Sequence, residues 1–384
     1  MRSTKAHAVI LIIIAGLTAC KKASAPAEQT ATNNSAATQA QIAQGGTTPQ
    51  GETKYFKGSI GSTLGLQMKL VREGERLTGS YFYQKVGTKI DLNGTVDNDG
   101  NVVLAEFDSG GKQTGVFQGF WKLEQSGLIS FAGNWKGPNS TKQTAFSIHE
   151  EPIEFSGGVE IVARRVAESN KKLKYEIDAE YPQLTGSGSP NYEKFNQMVR
   201  GLINGKVSQF RKEMVPEEGE DAGADQLPET MGSSLNIGYT LSLAQDDLIS
   251  LDLSVGTYYR GAAHPNSYSE TVNFDLKNGK SFKLADLFNP GSKYLQAISA
   301  YAIQDLKKQS KSADSMLDDD WIQRGAGPDA KNYQSWTISK NGLGINFDAY
   351  QVGPYAAGPQ HVMIPYSTLK DLIRVDGPIG QFIK

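Results

Sequence analysis

The stretch Arg260-Gly261-Ala262-Ala263-His264-Pro265-Asn266 lies between two runs of alternating polar and apolar residues, and it holds one of only four histidines. An imidazole there has three chemical uses: general base, metal ligand or recognition group. Base catalysis needs a nucleophile or a positioned carboxylate nearby. The sequence contains no G-x-S-x-G elbow. A zinc site usually takes three protein ligands. His149, His264 and His361 fall in separate segments without i, i+4 spacing, so we expect neither a metal site nor a catalytic residue. Pro265 biases His264 toward an extended backbone, and Asn266 favours a turn. The imidazole is then fixed near a turn, either bonded to backbone or offered to a ligand.

The second group is Tyr350-Gln351-Val352-Gly353-Pro354-Tyr355-Ala356-Ala357-Gly358. Pro354 and Pro359 lack N–H donors, so this stretch cannot be a regular central strand. Tyrosines on a loop make rigid recognition surfaces. The candidate ligand-binding residues are therefore His264, Asn266, Tyr350, Tyr355 and Gly358. Two acidic runs, Glu217 to Asp225 and Asp318 to Asp320, could speed association with a basic partner, although most such runs are simply solvated.

These groups need a scaffold. At 384 residues the chain has room for about two domains. The net charge is −2, and setting aside Arg2 and Lys5 leaves 37 basic residues against 41 acidic ones. That excludes bulk nucleic-acid binding, which needs a basic surface. Arg2 and Lys5 precede an apolar run, Ala8 to Leu17, too short to span a bilayer comfortably. It ends in Leu17-Thr18-Ala19-Cys20, which resembles a bacterial lipobox. We read residues 1–19 as a lipoprotein signal peptide and Cys20, the only cysteine, as the lipidated residue. That consumes the one thiol, so neither a disulfide nor cysteine zinc ligation is expected. Lys21 after the cysteine favours the outer membrane by analogy with Gram-negative sorting. Residues 20–53 are polar and small, a disordered tether.

Residues 54–150 look all-β. Turn signals recur, and Lys89 to Asp108 reads as two strands joined by an Asp-Gly hairpin. Glycine stands two residues before an apolar or aromatic residue at Gly79, Gly94, Gly115, Gly119 and Gly133. A meander closing into a small barrel uses glycines at such bends. Tyr81, Tyr83, Phe117, Trp121, Phe131 and Trp135 would line a cavity or, more ordinarily, fill a core. Asp97 to Asn101 partly matches a calcium loop, but flanking strands favour a plain hairpin.

Residues 157–384 read as α+β: an antiparallel sheet with two main helices. Ser189-Pro190 starts one helix, with Tyr192, Phe195, Val199, Leu202 and Phe210 at helical spacing. Ser292 to about Gln309 is the second. Strands alternate from Leu235 to Leu243 and from Ile249 to Val255, and a hairpin turns at Asn278-Gly279. Short late strands fit Ser335–Ser339, Leu343–Phe347 and His361–Ile364, and Ser367 would cap a last helix.

Three pieces in this order resemble known families: the helix from Pro190, the stretch Thr257 to Phe288, and Ile338 to Leu369. The opening part resembles the deacetylase-associated domain DUF4163, and residues from about 270 to 375 resemble DUF3298. The family turn carries two glycines before Ala-His, and here Ala262 replaces the second. The resemblance implies a non-catalytic binding or sensing module at the cell envelope. Its partner would be a lysozyme-like protein or a cell-wall glycan fragment, and no cofactor is implied. The alternatives are a peptidoglycan-modifying hydrolase or deacetylase, and a structural envelope lipoprotein. The sequence leaves the oligomeric state open.

Overall fold

The computed structural model describes residues 51–383 apart from 63, 84–88, 125–126, 139, 187, 216–231 and 313–314. Residues 49–384 form one compact unit. Its first part is a closed antiparallel barrel of eight strands: β1 (Glu52–Ile60), β2 (Leu64–Glu73), β3 (Arg76–Tyr83), β4 (Lys89–Val96), β5 (Asn101–Phe107), β6 (Gln113–Leu123), β7 (Ile129–Lys136) and β8 (Gln143–Glu151). Strand β1 closes the ring by pairing with both β2 and β8.

The glycine theme explains the closure. A Cβ on Gly58, Gly79, Gly94, Gly119 or Gly133 would lie 2.0–2.2 Å from a carbonyl oxygen of the neighbouring strand. Strands that coil this tightly approach too closely for any side chain. Gly119 and Gly133 face each other directly across β6 and β7. The interior is packed: Tyr81, Phe117, Trp121 and Phe131 are buried, and Phe117, Phe131 and Phe146 meet edge to face. These aromatics are core, not the lining of a ligand cavity; the side chain of Tyr83 lies outside the described residues. Buried Glu106 accepts hydrogen bonds from the Tyr81 hydroxyl at 2.5 Å and the Trp135 indole at 3.0 Å. Asp97 accepts from the Asn101 side chain and from the Asn101 and Asp99 backbone amides, the geometry of a turn, and these bonds hold its carboxyl below the usual range.

The second part is a larger sheet, in the order β10 (Glu160–Asn170), β11 (Tyr175–Thr185), β12 (Ser233–Gln245), β13 (Leu248–Tyr258), β14 (Asn266–Asp275) and β15 (Lys280–Ser281), with β9 (Ile153–Glu154) beside the end of β12. Helix α1 (Pro190–Glu213) starts at Ser189-Pro190 as expected and buries Phe195, Val199 and Phe210 on one face of this sheet. The expectation of an antiparallel sheet needs one amendment. β11 and β12 pair in parallel, because α1 serves as the crossover between them.

A three-stranded antiparallel sheet follows: β16 (Trp336–Ile338), β17 (Gly342–Phe347) and β18 (Gln360–Pro365). It shares a core with α2 (Tyr294–Gln309), through Ile298, Ala302 and Leu306. A short helix α3 (Asp319–Gly325), not foreseen from sequence, precedes it. The last helix, α4 (Tyr366–Leu369), has Pro365 at its cap, so Ser367 lies inside it and does not cap it. Buried Ser250 and Asn273 weld the small sheet to the large one. The Ser250 hydroxyl donates to Asn273, Asn273 donates to the Trp336 carbonyl, and the Ile338 amide donates back to Ser250.

The barrel is tied into the large sheet where β11 and β12 stop pairing, after Ala179 and Ile237. Lys57 pairs with Glu180 at 2.6 Å and donates to the Tyr239 carbonyl at 3.2 Å. Gln67 donates to the Tyr239 hydroxyl at 2.6 Å and accepts from the Ala163 amide at 3.2 Å. Glu151 ends β8 at this junction, and burial pushes its carboxyl up to about 7 despite Lys57 nearby. A carboxyl raised on folding binds its proton more tightly in the native state. Its protonation therefore favours folding at low pH, and stability falls as pH rises from the ordinary glutamate value of 4.5 through about 7. Glu151→Gln should remove that fall, gaining ~2–3 kcal/mol over the parent at pH 8 and nothing at pH 4. Urea unfolding at the two pH values checks it; an equal difference at both would contradict the assignment.

Candidate functional site

Two segments meet at one corner of the large sheet: residues 264–269, entering β14, and residues 348–358, leaving β17. They are clasped twice. The Tyr355 hydroxyl donates to the Pro265 carbonyl at 2.7 Å, and the Ser269 amide donates to Asp348 Oδ1 at 2.9 Å. The clasps sit four residues apart along β14, roughly 13 Å.

At the first clasp the His264 ring stacks on Tyr355, with centroids 3.9 Å apart and planes at 25°. Tyr350 flanks Tyr355 at 5.6 Å. His264 Nδ1 lies 2.9 Å from the Pro265 carbonyl oxygen. A carbonyl only accepts, so Nδ1 carries the proton and Nε2 faces outward as an acceptor in the neutral ring. No carboxylate bonds His264 among the described residues, so the imidazole is oriented by backbone and by a tyrosine. The turn before it needs a left-handed residue only at Gly261, whose φ is +88°, and the Ala262 amide closes it onto the Tyr259 carbonyl at 2.8 Å. Alanine at 262 therefore costs the turn nothing.

The loop holds Tyr350 at φ +70° and Gly358 at φ +67°. Gly358 ends a single 3₁₀ turn, Tyr355–Ala357, and its left-handed backbone is its contribution. Asn266 opens β14 opposite Thr257 and is exposed. The structure brings together His264, Tyr350 and Tyr355. It leaves Asn266 and Gly358 as backbone features of the same corner.

The second clasp holds groups that sequence reasoning missed. Asp252 Oδ2 accepts from the Ser269 hydroxyl at 3.1 Å, while the Ser269 amide binds Asp348. One serine thus bridges two carboxyl groups. The other Asp252 oxygen, Oδ1, is buried without a hydrogen-bond partner. An oxygen with neither water nor donor favours the protonated carboxyl. Burial, with Asp348 as a nearby like charge, pushes Asp252 up to about 6. Burial raises Asp348 as well. Both carboxyls therefore hold a proton more tightly than ordinary aspartates. The alternation of β13 hid this: Leu251 and Leu253 face the α1 core, so Asp252 read as solvent-facing.

The remaining sequence candidates are dispersed. His149 contacts Ser147 on β8 at 3.4 Å, and His361 contacts Asn346 on β17 at 2.8 Å. No group of three or more His, Cys, Asp or Glu suited to a metal occurs among the described residues. Asp318 caps α3 by accepting from the Asp320 and Trp321 amides, and Asp319 pairs with Lys307 at 2.7 Å. That acidic run is partly structural. The run from Glu217 to Asp225 and Cys20 lie outside the described residues. No described helix is long and apolar enough to cross a membrane.

Residues 285–367 match the family model described as a protein of unknown function, DUF3298. Residues 168–267, where a DUF4163 resemblance was expected, match the model described as deacetylase PdaC. The chain is 26 % identical over 248 residues to the peptidoglycan-N-acetylmuramic acid deacetylase PdaC of Bacillus subtilis (strain 168), covering 65 % of this chain and 48 % of that protein. It thus spans about half the length of that relative. A DUF3298 family member from Bacteroides fragilis NCTC 9343 is similar with a TM-score of 0.44 at 19 % identity, over 59 % of this chain and 98 % of that one. Another, from Pseudomonas aeruginosa PAO1, gives 0.39 at 18 %, over 56 % and 95 %. The expectation that the chain is not an enzyme is corrected here, because the family model over 168–267 and the curated relative both bear the name of a deacetylase. The expectation rested on finding no sequence motif. The chain carries a DUF3298 segment at residues 285–367, preceded by a segment similar to deacetylase PdaC.

Proposed function

We propose that this chain acts on peptidoglycan, in the hydrolysis of its acetamido groups to free amine and acetate. The carrying observation is the Asp252–Ser269–Asp348 cluster beside the His264–Tyr355 stack. Amide hydrolysis needs a proton taken from the attacking water and another given to the leaving amine. A carboxyl poised near pH 6, with a second raised carboxyl on the same serine, suits both tasks. The stacked rings give a flat apolar face with polar edges, which suits the less polar face of a sugar ring. Similarity to a named peptidoglycan deacetylase supports the same substrate. Recognition of an envelope glycan at the aromatic corner is part of this reading, and a lipid on Cys20 at the outer membrane would hold the chain beside its substrate.

The test is acetate release from N-acetylated peptidoglycan by the full chain, with Tyr355→Ala alongside. The parent releases acetate. The variant loses the stack and the Pro265 clasp, so its KM should rise about tenfold, equivalent to ~1.4 kcal/mol of substrate contact. No acetate from the parent would sink the proposal.

A further inference from the structure

A cavity of about 460 Å³ lies where the barrel meets the large sheet. Its Ser254 stands on the same face of β13 as Asp252 and opposite Ser269, so the cavity adjoins the carboxyl cluster. Its size falls within the usual range for small-ligand sites, which concentrate at such junctions. The walls are two fixed ion pairs. Arg165 holds Asp178 through two bonds, Nε to Oδ1 at 2.5 Å and Nη2 to Oδ2 at 2.6 Å. Lys57 holds Glu180 at 2.6 Å. Each pair is neutral overall, so the walls carry no net charge to attract an ionic ligand. Hydrogen-bonding capacity remains: Asp178 is 44 % exposed, Asn236 is exposed, and the exposed Ser254 hydroxyl has no partner among the described residues.

The floor is built from Gly238 on β12 and Gly256 on β13. Ser254 faces Gly238 and Asn236 faces Gly256 in the strand register. These glycines differ from those of the barrel. A Cβ on Gly238 would meet nothing within 4 Å, and one on Gly256 only the Asn236 carbonyl oxygen at 3.7 Å. Neither has a left-handed backbone. Glycine weakens a strand interior, and here neither close packing nor backbone conformation requires it. What it provides is bare floor beneath a polar-walled trough.

We infer that this trough binds an uncharged, hydroxyl-rich ligand, a segment of N-acetylated amino-sugar glycan, lying flat across Gly238 and Gly256. Its hydroxyls donate to Asp178 and accept from Arg165 and Ser254, and neither ion pair has to break. The glycan class rests on the proposed peptidoglycan function, while none of the trough's lining residues belongs to the carboxyl pair itself. A glycan in the trough would run along the face of β13 toward the reacting sugar.

The probe is chitotetraose, a neutral β-1,4-linked N-acetylglucosamine oligomer, titrated into the full chain by calorimetry. The parent should bind saturably. Gly238→Val and Gly256→Val should each weaken binding at least tenfold while the melting temperature stays level or rises, since both side chains enter open space. Asp252→Asn should bind chitotetraose like the parent even where acetate release is lost. Failure of the parent to bind, or unchanged affinity in both valine variants, would overturn the trough. Acetate release from peptidoglycan by the same parent protein would leave the deacetylation reading standing in either case.

Discussion

Asp252→Asn is expected to lower acetate release by about a hundredfold, the lower end of what a positioned proton-transfer group contributes. The asparagine keeps the shape and can still accept from Ser269, but it cannot exchange a proton. The same variant should gain stability above neutral pH. Folding raises Asp252 from the ordinary aspartate value of 3.8 to about 6, so the native state prefers the protonated form. The sign follows from linkage: stability is greatest below pH 4 and falls as pH rises through about 6. A neutral asparagine removes that fall. Lost turnover with raised stability at pH 8 separates a functional carboxyl from a structural one, which would lose both. The measurement pairs kcat with urea unfolding at pH 4 and pH 8, and a variant less stable than the parent at pH 8 would contradict the assignment.

Gly133→Val carries the largest expected structural effect. Its Cβ would sit 2.1 Å from the Gln118 carbonyl oxygen and 2.4 Å from the Gly119 Cα, both backbone atoms that cannot turn aside. Relief requires β6 and β7 to separate, which opens the ring. We expect a loss of ~3 kcal/mol or more, at or above the upper end for an overpacked site. Gly238→Val, also in a central strand, is the matched control with no clash. Loss of near-ultraviolet ellipticity from the barrel tryptophans, Trp121 and Trp135, reports the effect. Equal stability of the two valine variants would contradict the close-approach explanation.

Much of this architecture was legible in the sequence, for definite reasons. β12 and β13 alternate because one face of each covers the α1 core, and period two survives in any sheet with unlike faces. Ser189-Pro190 marked the start of α1 because proline's fixed φ at the first helical position is a local signal. The glycine theme of residues 79–133 announced a curved sheet, since only close strand approach needs that repetition. A closing meander was expected from the same glycines, and the ring is closed; which strands close it, β1 with β8, was not legible, because that depends on contacts between the first and last strands. The parallel pairing of β11 with β12 was hidden for a similar reason: it follows from how α1 crosses the sheet.

The candidate site was half visible. His264 and Tyr355 stood out as unusual residues in turn-forming surroundings, and they do stack. Asp252, Ser269 and Asp348 did not stand out, since two are ordinary strand residues and the third follows a strand. The weld through Ser250 and Asn273 fixes β16 against β13 and β14, and β17, paired with β16, delivers Asp348 to Ser269. The expectation of no enzyme rested on linear motifs, whereas the alternative of a peptidoglycan deacetylase is the one the named relative supports.

Mass spectrometry of muropeptides from N-acetylated peptidoglycan, before and after incubation with the full chain, tests the central claim most directly. The account predicts loss of acetyl groups by the parent, with a pH profile breaking near 6, and strong loss of that activity in Asp252→Asn. Unchanged muropeptides with the parent, or equal deacetylation by parent and variant, would contradict it.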